Sequence, residues 1–175
     1  AVIDGYGDKS ARFRYLFSRL RETACTIVEN AVEEMQHSDF RPVAFELGFG
    51  GRDGQLPAIT VTEGDTTLSV TGKVDRVDGW VKDGKLYLRV VDYKSGRKAF
   101  DLASVRMGLD IQMLLYLFTL QKEGKQYFGR DIEPAGVLYF PARDEILSAE
   151  RNISPEKLAG EVAKQLRRSG LLLSD

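Results

Sequence analysis

The spacing of apolar residues divides the first half of the chain into one helix and several strands. Apolar side chains recur every three or four residues over 9–35, which predicts one long amphipathic helix. Four extended runs follow, at 43–50, 58–63, 67–81 and 85–93. Asp83 and Gly84 lie between the last two runs, and an Asp-Gly pair between apolar runs predicts a tight hairpin.

In the second half of the chain the spacing returns to the helical period. Residues 102–123 are predicted to form a helix, and the stretch 111–120 is apolar on nearly all sides, as is typical of a buried helix. The short apolar run at 135–140 predicts an interior strand. Ser154 and Pro155 predict the start of a last helix, with Ser154 as N-cap, that runs to about residue 168. A strand meander followed by a helical crossover to a further strand indicates a mixed sheet with helices on both sides.

Composition and charge are those of an ordinary globular domain. The chain has 175 residues, of which 43% are hydrophobic and 29% charged, and this predicts one domain over 1–175. It has no apolar run of about 18 residues, so we expect no transmembrane helix and no membrane partner. The single cysteine permits no internal disulfide, and a cytoplasmic location is expected. A net charge of −1 neither indicates nor excludes a nucleic-acid partner, because acidic metal ligands offset basic residues in the count.

The extended run at 85–93 leads from apolar residues into a pair of opposite charges. Alternate residues of a strand share a face, so Leu86, Leu88 and Val90 lie on the same face as Asp92 and Lys94. Burying a charge is costly unless the charge is paired or bound to a metal. The pair is therefore either a simple ion pair at the end of a strand or part of a functional site.

Further carboxylates give weight to the second interpretation. Asp75 lies on the strand that the hairpin pairs with the strand of Asp92, and counting outward from the turn brings both to the same end of the sheet. Such carboxylates would repel one another without a cation, and their oxygens suit Mg²⁺ or Mn²⁺. Glu46, within an apolar strand, is either an edge-facing residue or a third acidic ligand. Asp78 is expected at the surface or in a turn.

Two polar residues stand out in the predicted buried helix. Gln112 and Tyr116 are four positions apart, so they lie on one face of that helix. They either simply satisfy hydrogen bonds in the core or form a wall of the site.

Three separated motifs together resemble one family of nucleases. They are GKVDRVD at 72–78, VDYKSG at 91–96 and QMLLY at 112–116. Their types, order and spacing are similar to the pattern GxxDRxD, VxDYKSG, QxxxY of the RecB-like branch of the PD-(D/E)XK nuclease superfamily. The segments at 134–145 and 169–175 resemble the C-terminal nuclease domain of the AddB-type chains of bacterial ATP-dependent helicase–deoxyribonucleases.

This resemblance implies a fold, a cofactor and a set of site residues. The fold would be α/β and restriction-endonuclease-like, with a mixed central sheet flanked by helices. Mg²⁺ or Mn²⁺ would be held by Asp75, Asp92 and, directly or through water, Glu46. Lys94 would orient or deprotonate the attacking water and stabilise charge on the phosphate. The remaining implied site residues, which line the site and position the DNA backbone, are Gln112 and Tyr116.

The resemblance also implies partners and a context. The substrate would be a DNA strand delivered by a helicase partner during double-strand-break processing, and the chain would be one part of a larger helicase–nuclease protein. Two features differ from the family: His37 does not match the family's upstream histidine, and Cys25 alone cannot hold the iron–sulfur cluster of such relatives. The alternatives are a stand-alone exonuclease of the same superfamily and a catalytically silent module that binds DNA or a partner protein.

Overall fold

The computed structural model describes residues 5–143 and 152–173. A short 3₁₀ helix, Tyr6–Asp8, comes first. The helices that follow are α1 (Ala11–Gln36), α2 (Leu102–Arg106), α3 (Gln112–Glu123), α4 (Lys125–Phe128) and α5 (Pro155–Gln165). The strands are β1 (Arg41–Phe49), β2 (Ile59–Glu63), β3 (Thr66–Val70), β4 (Gly72–Lys82), β5 (Lys85–Lys94), β6 (Ile132–Pro141) and β7 (Ser169–Leu172).

The chain divides into two compact units, and the first contains α1 and α5. This unit comprises Ala1–His37 and Ala142–Leu166. The predicted helix over 9–35 is confirmed by α1, which begins after Ser10. The predicted N-cap is also confirmed, since the Ser154 hydroxyl accepts a hydrogen bond from the Lys157 amide at 3.3 Å. Among the helices in the described ranges, none is long and apolar enough to cross a membrane.

The second unit, Ser38–Pro141 and Arg167–Asp175, is built on a five-stranded sheet. Its strand order is β1-β4-β5-β6-β7; β5 and β6 are parallel, and every other neighbouring pair is antiparallel. The prediction of a mixed sheet is therefore confirmed. Strands β2 and β3 form a separate two-stranded sheet. Strand β7 was not predicted, because it has only four residues, half-buried or exposed, and so carries no alternating pattern.

Two predicted elements are each divided in the structure. The run 67–81 was predicted as one strand, but the chain leaves the small sheet after Val70 and enters the large one at Gly72. The helix predicted over 102–123 is interrupted between α2 and α3, where Gly108 and Asp110 have φ of 78° and 54°. These left-handed conformations end a helix. The apolar spacing hid the interruption, because Leu109 and Ile111 continue it.

Helix α3 packs on β5 and β6 and closes the main core. Leu120 and Val137 are fully buried there. Tyr116 stacks on the ring of Phe49 with centroids 5.0 Å apart. A Cβ added to Gly72, the first residue of β4, would meet the Tyr116 hydroxyl at 2.0 Å. The missing side chain at Gly72 thus lets α3 approach the end of the sheet at which the predicted site lies.

Candidate active site

The β4–β5 hairpin brings two of the predicted carboxylates together. Its turn is tight, as predicted, with Lys82 paired to Lys85 and with positive φ at Asp83 and Gly84. The paired register runs to Arg76 opposite Val91, so the next positions outward are Asp75 and Asp92. The backbone N–H of Tyr93 donates to Oδ2 of Asp75 at 2.8 Å, which fixes that carboxylate against β5.

Asp92 and Lys94 lie in contact, at the end of the face that carries the β5 core residues. Lys94 Nζ is 2.6 Å from Asp92 Oδ2, and the two side chains are 37% and 23% exposed. Apart from this ion pair, Oδ2 is a buried oxygen with no hydrogen bond from the described residues. A partly buried carboxylate that is paired with one ammonium is compatible with both interpretations of the pair.

Glu46 faces Asp75 across the sheet in register, but its carboxylate contacts a different residue. Its flanking pairs are Phe45 with Arg76 and Leu47 with Val74. The Glu46 side chain is 67% exposed, and its Oε2 lies 3.2 Å from Lys73 Nζ. Within the ranges that the structure describes, no three His, Cys, Asp or Glu side chains are close enough together to hold a metal ion.

The backbone at Glu46 interrupts the regular alternation of buried residues along β1. Its φ is 50°, a left-handed conformation that costs a non-glycine residue about 1–2 kcal/mol. Ala44 and Leu47, three positions apart, are both buried in the core, whereas regular strands bury alternate residues. The left-handed residue therefore reverses the alternation of β1 directly opposite Asp75, and such strain is concentrated at functional sites.

Gln112 and Tyr116 lie on one face of α3, as the helical spacing predicted, and they contact each other. Gln112 Nε2 donates to the Tyr116 hydroxyl at 2.7 Å; Tyr116 is 5% exposed, while Gln112 is at the surface. The pair lies over Gly72, three residues before Asp75. This geometry agrees with both alternatives, a satisfied polar pair and a wall beside the carboxylates.

The expectation that Asp78 lies at the surface or in a turn is wrong. Its residue is 1% exposed, and its carboxylate bridges two buried guanidinium groups. Arg76 Nε is 2.8 Å from Oδ1, and Arg89 Nη2 is 2.9 Å from Oδ2. The hairpin register contained the signal, because it pairs Asp78 with Arg89, and alternation places Arg76 and Asp78 on one face.

This buried Arg76–Asp78–Arg89 triad reaches the predicted site through one tyrosine. Arg76 Nη1 donates to the Tyr93 hydroxyl at 2.7 Å, and the Tyr93 amide holds Asp75. The sequence motifs did not reveal the triad, because they were examined for residues that could bind a metal or substrate, whereas the triad residues bind one another. It contributes by fixing β4 against β5 and Tyr93 between the two.

A second group of charges surrounds Tyr139 on the other side of Asp92. Tyr139 is 6% exposed and pairs with Asp92 across the parallel β5–β6 register. The ammonium groups of Lys94 and Lys98 lie 5.7 and 6.0 Å from its ring centroid, and Lys98 Nζ is 2.5 Å from Asp110 Oδ2. Burial raises the pKa of Tyr139, with a smaller contribution in the same direction from Asp110.

Comparison with known proteins assigns the family. The chain matches the PD-(D/E)XK nuclease superfamily over residues 3–170. It therefore belongs to that superfamily, as its motifs indicated, and its mixed sheet with packed helices is consistent with the restriction-endonuclease-like α/β fold of the family.

The relatives define a narrower resemblance. The chain is 37% identical over 178 residues to the B subunit of the ATP-dependent helicase/deoxyribonuclease of Clostridium acetobutylicum, and the alignment covers 99% of this chain. It is 38% identical over 175 residues to the protein of the same name from Caldanaerobacter subterraneus subsp. tengcongensis, covering 98%. In both cases the match spans 15% of the relative's length. The resemblance to AddB-type proteins is thus confirmed for a segment that is a small part of those proteins.

Proposed function

We propose that this chain is a nuclease domain that hydrolyses DNA phosphodiester bonds with Mg²⁺ or Mn²⁺. The supporting observation is the cluster at the end of the β4–β5 hairpin. There Asp75 and Asp92 occupy facing positions, and Lys94 lies 2.6 Å from Asp92. Two acidic oxygen donors beside one ammonium are the groups that metal-assisted phosphodiester hydrolysis requires.

The donor chemistry of the cluster fits a hard divalent cation. Asp75 and Asp92 supply carboxylate oxygens, and Oδ2 of Asp92 is buried with Lys94 as its ion-pair partner. Glu46 would complete the set, directly or through water, once its carboxylate leaves the exposed Lys73 ammonium. Exposed ion pairs of this kind contribute little, so a divalent cation can compete for the carboxylate. Such a cation, when bound, lowers the pKa of water and neutralises charge on a phosphate.

The side chains around the metal site would position the water, the carboxylates and the DNA. Lys94 would hold the attacking water and face the negative charge that develops on the phosphate. Tyr93 would keep Asp75 in place through its amide, with its hydroxyl held by Arg76. Gln112 and Tyr116 would position the DNA backbone alongside.

The wider context is also a proposal. Because the matched relatives are subunits of a helicase/deoxyribonuclease, we propose that the domain acts in the cytoplasm on a single strand delivered by a helicase partner, in double-strand-break processing. The single domain over 1–175 would then be one part of a longer protein.

The test is cleavage of end-labelled single-stranded DNA with Mn²⁺ or Mg²⁺. Wild type, Asp92→Ala and Asp131→Ala are compared, with EDTA as a blank. Asp131 is a matched control, since it is an exposed aspartate 2.6 Å from Lys125 at the opposite end of the sheet. Cleavage by wild type and Asp131→Ala but not by Asp92→Ala is the expected result.

Two other results would change the conclusion. Equal cleavage by all three proteins would indicate a contaminating nuclease and remove the support for Asp92. If none cuts, a Mn²⁺ titration follows. Binding that Asp92→Ala abolishes would leave a metal site without activity, and no binding by wild type would favour the silent DNA- or partner-binding module.

A further inference from the structure

We propose that Lys98 is a second substrate-binding cation of this site and contacts a DNA phosphate next to the one that faces Lys94. The inference rests on the proposed nuclease function and extends it to a residue outside the motifs. Lys98 follows β5 by four residues, in the segment that leads to α2.

The position of Lys98 relative to Lys94 is set by one buried ring. Both ammonium groups approach Tyr139, at 5.7 and 6.0 Å from the ring centroid, and Tyr139 pairs with Asp92 across the sheet. Cations are attracted to the face of an aromatic ring, so a buried tyrosine is a fixed reference for both lysines. Lys98 is thereby held beside the carboxylate and ammonium of the proposed site.

A DNA strand that reaches Lys94 brings further charge with it. A strand carries roughly one negative charge per 3.4 Å of helix axis, so its neighbouring phosphates extend to either side of the one being cleaved. A second ammonium on the same ring is within reach of such a phosphate. Lysine acts towards phosphate as a point charge on a flexible stem, which tolerates strands of any sequence.

The present partner of Lys98 can give way to a phosphate. Lys98 Nζ is 2.5 Å from Asp110 Oδ2, but the two side chains are 33% and 38% exposed. Exposed pairs contribute little to stability. Asp110 therefore keeps the ammonium oriented before substrate arrives, and an arriving phosphate replaces one oxygen ligand with another.

The test measures how DNA binding depends on salt. Affinity for a labelled single-stranded oligonucleotide is measured in EDTA, so that nothing is cleaved, over a range of KCl concentrations. Each phosphate contact on a single strand contributes about 0.7 to the slope of log K against log salt. Lys98→Gln should reduce the slope by about that amount and weaken binding equally for all sequences.

Two matched variants separate substrate contact from structure. Lys85→Gln removes another lysine from a 2.5 Å ion pair, with Glu133, at the opposite end of β5, and should leave the slope unchanged. Asp110→Asn removes the partner but keeps the Lys98 charge, and asparagine tolerates the left-handed backbone there; it should leave the slope at the wild-type value or steeper.

The outcomes distinguish this inference from the function on which it rests. If wild type binds DNA but Lys98→Gln keeps the wild-type slope, Lys98 is not a phosphate contact. Equal losses of thermal stability in Lys98→Gln and Asp110→Asn, with unchanged slopes, would identify the pair as a structural tie only. If wild type shows no salt-dependent binding at all, the inference about Lys98 fails, whereas the proposed nuclease function is decided separately by the cleavage assay.

Discussion

Replacing Asp78 by asparagine should severely destabilise the protein although it lies outside the proposed metal site. The substitution keeps the size of the side chain but removes the negative charge that lies between Arg76 and Arg89. All three side chains are buried, at 2%, 1% and 8% exposure. Water therefore cannot replace the lost carboxylate.

The expected loss follows from this burial. Removing one member of a buried ion pair costs about 3–5 kcal/mol, because the remaining charge keeps its desolvation penalty. Total stabilities of domains are about 5–15 kcal/mol, so the variant would lose a large fraction of its own. With a denaturant slope of about 2–3 kcal/mol per molar urea, the midpoint should fall by about 1–2.5 M.

Urea unfolding followed by fluorescence of the single tryptophan, Trp80, measures this loss. Trp80 lies two residues from Asp78 in β4, so it reports on the strand concerned. Asp131→Asn is the control, because it removes an aspartate from an exposed pair with Lys125 and should change little. A midpoint for Asp78→Asn within experimental error of the control would refute the buried-triad argument.

Two further predictions concern the surroundings of the site. Gly72→Ala should cost about 1–3 kcal/mol in thermal or urea unfolding, since its Cβ would lie 2.0 Å from the Tyr116 hydroxyl. Adding Tyr116→Phe to Gly72→Ala should recover part of that loss. Gly96→Ala is the control and should be neutral, because a Cβ there would have nothing within 4 Å. Equal losses of stability in Gly72→Ala and Gly96→Ala would contradict the steric reason. Hydrogen bonds from the Ser104 hydroxyl and from backbone amides lower the pKa of Asp101 below its usual 3.8, so this N-cap stabilises α2 above that pH and ceases to do so as pH falls through the lowered value. The melting temperature should fall as the pH is lowered from about 5 to 2, and this decrease should be smaller in Asp101→Asn. An equal decrease in wild type and variant would show that Asp101 does not contribute to it.

The parts of the fold that the sequence predicted are those with a strong local signal. The hairpin was predictable because Asp83 and Gly84 supply the positive φ that a two-residue turn needs. Its register then placed Asp75 next to Asp92 without further information. The start of α5 was predictable for a similar reason, since Ser154 and Pro155 are residues that begin helices.

The missed features depend on residues that are distant in the chain. The sequence around Ser169 has no local pattern that predicts β7, because that strand forms by pairing with β6, some thirty residues earlier. The contact of Glu46 with Lys73 arises because β1 and β4 are neighbours. Asp78 was misplaced for a different reason. Burial of this carboxylate is energetically acceptable only because two arginines pair with it, and the hairpin register, which places Asp78 opposite Arg89, could have revealed this.

The two-residue turn at Asp83 and Gly84 also limits which insertions the chain can accept. The β4–β5 pairing has no register shift between the turn and Arg76 opposite Val91, so the length of the turn fixes which residues of β5 lie opposite which residues of β4. One added residue in the turn would slip β5 by one position and send Asp92 and Lys94 to the opposite face of the sheet. By contrast, the turn at Gly64 joins two strands that belong to the small sheet, where most side chains are exposed. Natural length variation should therefore accumulate at the β2–β3 turn and be rare at the β4–β5 turn.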